Sequence, residues 1–400
     1  VREHWVNTWV ATPQLTEPEN LPPAPFTGPD RVLADSTLRQ TFHASIGGRT
    51  IRLRLSNAFG GADLPITAVS LARPAGGQAG TSAIEPGTAR PVTFFGQAPV
   101  VVPVGAQAVS DPLAFPLAPR SNTAVTMYLA DGQPSTAVTS HPGSRTTSYL
   151  LAGNHVEDAD LAGATAVDHW YLLSGVEVLA PSTAAAAVIV GDSLTDGRGS
   201  TTNLNDRWPD RLFARLRADP GSAGVAILNQ GAGGNRVLHD GLGPSALARL
   251  DRDVLAQSGV RWLVVFAGVN DIGTAAATEA AQKRVADDLI AAYHQIVVRT
   301  HAHGIRVYGA TLLPFGGHGY DDPGGLRERS RQAVNRWIRA SGRFDAVIDF
   351  DRAARDPDHP RRLRAEVDGG DHLHLNPTGY QVLADAVPGQ LFEFARTLRR

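Results

Sequence analysis

The chain has 400 residues, 42% hydrophobic and 19% charged, with a formal net charge of −2. This is a globular composition, long enough for two domains at about 100–200 residues each, and the lack of any basic run argues against nucleic acid as the main partner. There is no cysteine, which excludes disulfides, thiolate nucleophiles and cysteine-ligated zinc, and no apolar run reaches the roughly 18 residues of a membrane span.

The chain opens on Val1 rather than methionine and continues in a polar, Pro-rich lead-in. The expectation is a mature secreted protein. Residues 1–180 are predicted to be an all-β sandwich, jelly-roll-like. STLRQTFHASIGG, RTIRLRLSNAFGG, ITAVSLARP, ARPVTFFG, APVVVPVG and NTAVTMYLADG are short runs bounded by Gly, Pro, Asn or Asp, the pattern of packed antiparallel strands. In RTIRLRLSN, Ile51, Leu53 and Leu55 alternate with Arg52, Arg54 and Ser56, which predicts one buried and one wet face. VDHWYLLSGVEVL (167–179) reads as a closing strand and APST (180–183) as a linker.

From residue 184 to 400 the rhythm changes. AAAAVIV, VAILNQ, RWLVVFAG, IRVYGATLL and DAVIDF are near-continuous apolar runs. Helical patterns separate them: WPDRLFARLRA, ALARLDRDVLAQ, TEAAQKRVADDLIAAYHQIVVRTHAHG and LRERSRQAVNRWIRA. A last helix, PTGYQVLADAVPGQLFEFARTLR, is expected to be interrupted at Pro388. Strands buried on both faces and alternating with helices predict a parallel sheet in a three-layer α/β/α domain. Ligands in such sheets bind beyond the carboxyl ends of the strands.

The first of these strands runs into GDSLTDG, the second into LNQGAGGNRVL, the third into FAGVNDIG, and DGGDHLHLNPTGY follows the fifth. One end of the sheet would then carry a serine, a cluster of backbone amides, an asparagine and an Asp-x-x-His pair. These are the parts of an acyl-transfer site. Ser193 needs a base, His374, and a third group to orient it, Asp371. A tetrahedral intermediate needs donors for its oxyanion. The Ser193 and Gly234 amides and the Asn270 side chain are the candidates, Gly234 because a residue without Cβ lets its amide enter a tight pocket.

The four blocks GDSLTDG, the glycine loop, GVND and DHLHLNP resemble the signature blocks of the SGNH (GDSL) hydrolase superfamily, over roughly residues 185–395. The resemblance implies a flavodoxin-like fold, esterase or lipase activity, Ser193 as nucleophile, Gly234 and Asn270 as oxyanion residues, and Asp371 with His374 completing the triad. RWPDRL, LNQGAGGNR and GPSALARLDRDVL, with the two-domain layout, further resemble a bacterial subfamily with an N-terminal β-sandwich, grouped with arylesterases and acetyl-xylan esterases.

Ser193 alone reads as a helix cap; the other blocks favour the nucleophile. Threonine at 195 breaks the G-x-S-x-G elbow of α/β-hydrolases. Asp192 is expected to bond loop amides, Asp196 to help cap the following helix and Asp271 to hold a loop. Asp368 is a rival orienter for His374. His372 could share a metal with His374, but no third clustered ligand is visible, so it reads as a wall or surface residue. His141 reads as a surface histidine. GAGGNR lacks the G-K-[ST] ending of a phosphate loop. The segment 312–325 is either a plain connection or a mobile pocket wall carrying Phe315 and Tyr320.

The expected function is a serine esterase without metal or cofactor, acting on short acyl esters, acetyl above all, of carbohydrate or aryl alcohols. The substrate would be a small molecule or a glycan. The alternatives are an acylhydrolase for lipid esters and a carbohydrate-binding protein with a vestigial hydrolase half.

Overall fold

The computed structural model describes residues 2–394. The chain forms two compact units, Val1–Ser182 with Thr202–Asn205, and Thr183–Thr201 with Asp206–Arg400.

The first unit is an antiparallel β-sandwich. One sheet orders Glu3–Val10, Leu173–Pro181, Gly48–Ser56 and Leu113–Leu117, with Gln107–Val109 also paired to Gly48–Ser56. The second large sheet orders Thr165–Val167, Ser148–Ala152, Ser36–His43, Asn122–Leu129, Ala68–Ala72 and Arg90–Val92. Inward residues such as Leu38, Leu53, Val125, Met127 and Val176 are fully buried. Trp9 meets Trp170 edge-on, ring centroids 4.8 Å apart.

The polar lead-in holds a strand within the expected all-β unit, Glu3–Val10, whose inner half is buried, and three expectations differ from the structure. The stretch 167–179 is not one strand but the end of Thr165–Val167, then Trp170–Tyr171, then Leu173–Pro181, which runs into the first half of the expected linker, where Pro181 pairs with Glu3. The arginine face of Gly48–Ser56 is not wet. Glu177 on the neighbouring strand is fully buried and accepts from Arg52 Nε at 2.6 Å and Arg54 Nη2 at 2.9 Å. A buried carboxylate needs paired charge, so the alternation carried an ion cluster. His141 is also buried. Its strand Thr139–His141 lies between Gln14–Leu15 and Trp170–Tyr171, and its Nδ1–H donates to the Thr12 carbonyl at 2.9 Å.

The second unit is a five-stranded parallel sheet. Its strands are β1 (Ala185–Gly191), β2 (Val225–Gly231), β3 (Val260–Phe266), β4 (Arg306–Ala310) and β5 (Ala346–Ile348), ordered β2-β1-β3-β4-β5. That is the flavodoxin-like order, with its topological switch beside β1. Every residue of β1 is buried, as helices on both faces require. The helices are α1 (Ser193–Asp196), α2 (Trp208–Arg217), α3 (Ala246–Leu250), α4 (Val269–Thr274), α5 (Glu279–His301), α6 (Leu326–Ala340), α7 (Phe350–Ala354) and α8 (Pro377–Ala386). The expected helix ALARLDRDVLAQ changes after α3 into a π turn, Asp251–Leu255, where Arg249 and Arg252 both grip Asp253. The last helix ends at Ala386, and Pro388 starts a separate short turn; the stretch expected to continue it beyond residue 394 lies outside the described residues. Among the described residues no helix is long and apolar enough to cross a membrane.

Candidate active site

The site is built where the strands end. β1 stops at Gly191, and Asp192 caps a single helical turn, its Oδ1 accepting the Leu194 N–H at 3.0 Å. Ser193 therefore opens α1 directly beyond the sheet. Far along the chain, after β5, the Asp371 carboxylate shapes the turn before α8. Its Oδ1 accepts the backbone N–H of Leu373 at 3.0 Å and of His374 at 2.8 Å.

These turns bring three side chains into line. His374 Nδ1 lies 2.6 Å from Asp371 Oδ2, and His374 Nε2 lies 2.7 Å from Ser193 Oγ. A carboxylate only accepts, so the imidazole proton sits on Nδ1 and Nε2 presents its lone pair to the hydroxyl. Ser193 and His374 are both buried. Burial lowers the His374 pKa, outweighing the opposing pull of Asp371. For Asp371 burial acts upward, but the bonds from the His374 ring and from the His374 and Leu373 amides outweigh it and hold the carboxyl well below its usual range.

A pH dependence follows. The base must be neutral, and its depressed pKa keeps it neutral to a lower pH than a free histidine. Activity is expected to fall, as pH drops, with a midpoint below the ordinary value of about 6.5. A kcat profile with its acid limb above that value would contradict the lowered pKa.

The candidate oxyanion donors come from the ends of three strands. The Ser193 N–H stands at the first position of α1, where no intrahelical acceptor exists. After β2, Gly234 has φ 69°, a left-handed conformation that glycine adopts freely. No acceptor for its N–H is found among the described residues. After β3, Gly268 with φ 136° turns the chain into α4, and a Cβ there would lie 2.5 Å from the Tyr293 hydroxyl. Asn270 follows. Its Nδ2–H donates to the Asn235 carbonyl at 2.9 Å, and its Oδ1 accepts the Tyr320 hydroxyl at 2.8 Å. An amide nitrogen carries two hydrogens, so one remains for a ligand.

The expected supporting carboxylates divide. Asp271 does hold a loop, accepting the N–H groups of Val237 at 2.9 Å and Leu238 at 3.0 Å. Burial raises its pKa against those bonds. Burial, opposed by the Leu194 N–H and aided by nearby Asp271, pushes the Asp192 carboxyl up to about 7. Asp196 does not cap the next helix. It is the last, buried residue of α1, and α2 is entered through Arg207 and Asp210. Asp368 bonds the ring of His372 at 2.6 Å rather than His374, and His372 is exposed. Among the described residues no group of three or more His, Asp or Glu is placed to hold a metal. In the segment 312–325, Phe315 is buried and Tyr320 half-buried.

Two supporting residues carry no role in the motif reading. Asn229 Nδ2 donates to the Thr195 carbonyl at 2.7 Å and ties β2 to α1. Arg249, 1% exposed, donates from Nη2 to Gly191 O at 3.1 Å and Asn235 Oδ1 at 3.0 Å, and from Nη1 to Gln230 O at 2.7 Å and Asp253 at 2.9 Å. One guanidinium thus joins the ends of β1 and β2 to the loop after Gly234. The signal in the sequence was an arginine on the apolar face of LARL. Arg249→Ala leaves several buried acceptors unpaired and is expected to cost about 3 kcal/mol or more, read from the urea denaturation midpoint. A loss under about 1 kcal/mol would show that solvent replaces it.

Residues 189–382 match the GDSL-like lipase/acylhydrolase family. The matched segment spans just under half of the chain and most of the second unit, and it supports assigning that unit to the SGNH superfamily and its chemistry to carboxylic ester hydrolysis. An acetylxylan esterase from Geobacillus stearothermophilus, in a catalytic-mutant form, is 20% identical, with 50% of this chain and 91% of that chain covered and a TM-score of 0.38. A GDSL-like lipase from Bacteroides thetaiotaomicron is 19% identical, with 52% and 88% covered and a TM-score of 0.37. No curated protein matches the chain.

Proposed function

We propose that the protein is a serine esterase that works through an acyl-enzyme on Ser193. The observation that carries this is the relay in which Ser193 Oγ lies 2.7 Å from His374 Nε2 and His374 Nδ1 lies 2.6 Å from Asp371 Oδ2. The Ser193 hydroxyl gives its proton to His374 Nε2 as Oγ bonds the ester carbonyl carbon. The carbonyl oxygen takes up the negative charge and accepts from the Ser193 and Gly234 N–H groups and the second Asn270 Nδ2–H. The C–O bond to the alcohol then breaks, and the leaving oxygen takes the proton from Nε2. Water repeats the sequence, releasing the acid and restoring the hydroxyl. Asp371 keeps the proton on Nδ1 throughout and stabilises the imidazolium.

The acyl group is short, acetyl above all, and the alcohol is a carbohydrate or an aryl alcohol. Crowding at the oxyanion donors supports the short acyl group. The Tyr320 hydroxyl sits on Asn270, and Leu242 lies where a side chain on Gly234 would start. A panel of acetylated xylan, pectin fragments and aryl esters of graded chain length tests the assignment. The expected kcat/KM is highest for acetyl and falls as the acyl chain lengthens. A maximum at long acyl chains would move the reading to lipid esters. Hydrolysis of none of the panel would favour the binding-protein alternative.

A further inference from the structure

The segment 312–325 is held firmly and reaches the oxyanion end of the site. Asp321 Oδ2 accepts the Gly317 N–H at 3.0 Å, the Tyr320 N–H donates to His318 Nδ1 at 3.0 Å, and the Asp321 N–H donates to the His318 carbonyl at 2.9 Å. At its far end the Asp322 carboxylate accepts the N–H groups of Leu326 at 3.0 Å and Arg327 at 2.9 Å, and Arg327 Nη2 donates to the Ala275 carbonyl after α4 at 2.8 Å. The Tyr320 ring stands edge-on to His318 and Phe315. It occupies the space beside Gly273 of α4, where a Cβ would lie 2.3 Å from ring carbons.

From this geometry we infer that Tyr320 is a positioning residue for the Asn270 amide, locking it with one Nδ2–H free to serve an oxyanion. The inference rests on the proposed role of Asn270 and adds what holds it in place. Asn235 O, a pure acceptor, fixes which end of the amide is nitrogen. The Tyr320 hydroxyl, donating to Oδ1, clamps the other end and stops rotation about the side chain. A bond donated to the amide oxygen also polarises the group, which strengthens its N–H donors. The hydroxyl remains a donor across the working range, because burial, with Asp192 nearby, raises its pKa. The clamp would matter little to ground-state binding and more to the charge that develops in the transition state.

The test is a double-mutant cycle on 4-nitrophenyl acetate with Tyr320→Phe and Asn270→Ala, folding being checked by thermal unfolding. Asn270→Ala is expected to lower kcat by about 10²- to 10³-fold. Tyr320→Phe keeps the ring and removes one hydrogen bond, and is expected to lower kcat about 3- to 10-fold with KM unchanged. In the Asn270→Ala background the same change is expected to do nothing, because the group it acts through is gone. Gly273→Ala is an independent second variant: it keeps the phenol but pushes the ring aside, and kcat is expected to fall in the same way. If Asn270→Ala is impaired while Tyr320→Phe or Gly273→Ala keeps the wild-type kcat, the positioning role is overturned and the site reading stands. An equal Tyr320→Phe loss in both backgrounds also overturns it. If Asn270→Ala itself keeps the wild-type kcat, the oxyanion reading fails first and the positioning role falls with it.

Discussion

Ser193→Ala is expected to lower kcat for a simple aryl acetate by roughly 10⁴- to 10⁶-fold while the protein stays folded. The substitution removes one oxygen, which is hydrogen-bonded to His374 Nε2. The turn that carries it is capped by Asp192, not by Ser193, so α1 keeps its support. The stability change is expected to stay within about 1 kcal/mol, the net worth of one hydrogen bond. Serine and histidine act as a unit in this chemistry. The double variant Ser193→Ala, His374→Ala is therefore expected to be no slower than either single one. Near-wild-type turnover by Ser193→Ala, with a normal unfolding curve, would end the acyl-enzyme proposal.

Asp371→Asn is expected to lower kcat by an amount approaching about 10⁴-fold, for a reason the turn makes specific. Asp371 Oδ1 accepts two backbone N–H groups, and only an oxygen can stay there. The asparagine must then turn its NH₂ toward His374 Nδ1. That nitrogen becomes an acceptor, its proton moves to Nε2, and the imidazole presents N–H instead of a lone pair to Ser193. The wrong tautomer cannot take the serine proton. The Asp371 side chain is 41% exposed, so water can in part stand in, and the loss is expected to fall short of that for a fully enclosed carboxylate. Steady-state kinetics with the Asn variant check this. A loss below about 10-fold would mean that Asp371 serves the turn and not the tautomer.

Much of the second unit was legible because its signals are local. Continuous apolar runs such as AAAAVIV, alternating with helical patterns, read as strands covered on both faces, and the polar cluster after each run marks the end of the sheet that carries a site. Ser193, His374 and Asp371 lie in such clusters, and their short turns bring them to within hydrogen-bonding distance. What was not legible depends on partners remote in sequence. Alternation in RTIRLRLSN read as a wet face, but Glu177, more than a hundred residues on, draws Arg52 and Arg54 inward. Gln14 and Tyr171 flank the His141 strand from distant segments, so a polar-looking VTSHPGS is buried. Asp196 sits in a short turn whose length no periodicity reports. Arg249 shows in sequence only as an arginine on an apolar face and Tyr320 only as part of a long loop, and their roles emerge from which loops their polar atoms join.

The most direct test of the central claim is to treat the intact protein with a serine-directed phosphonate and locate the adduct by mass spectrometry of its peptides. The expected result is one phosphonyl group per chain, on Ser193, gained in step with loss of esterase activity and absent from His374→Ala over the same time. Activity that disappears with the label on another residue, or that persists with Ser193 fully labelled, would contradict the account.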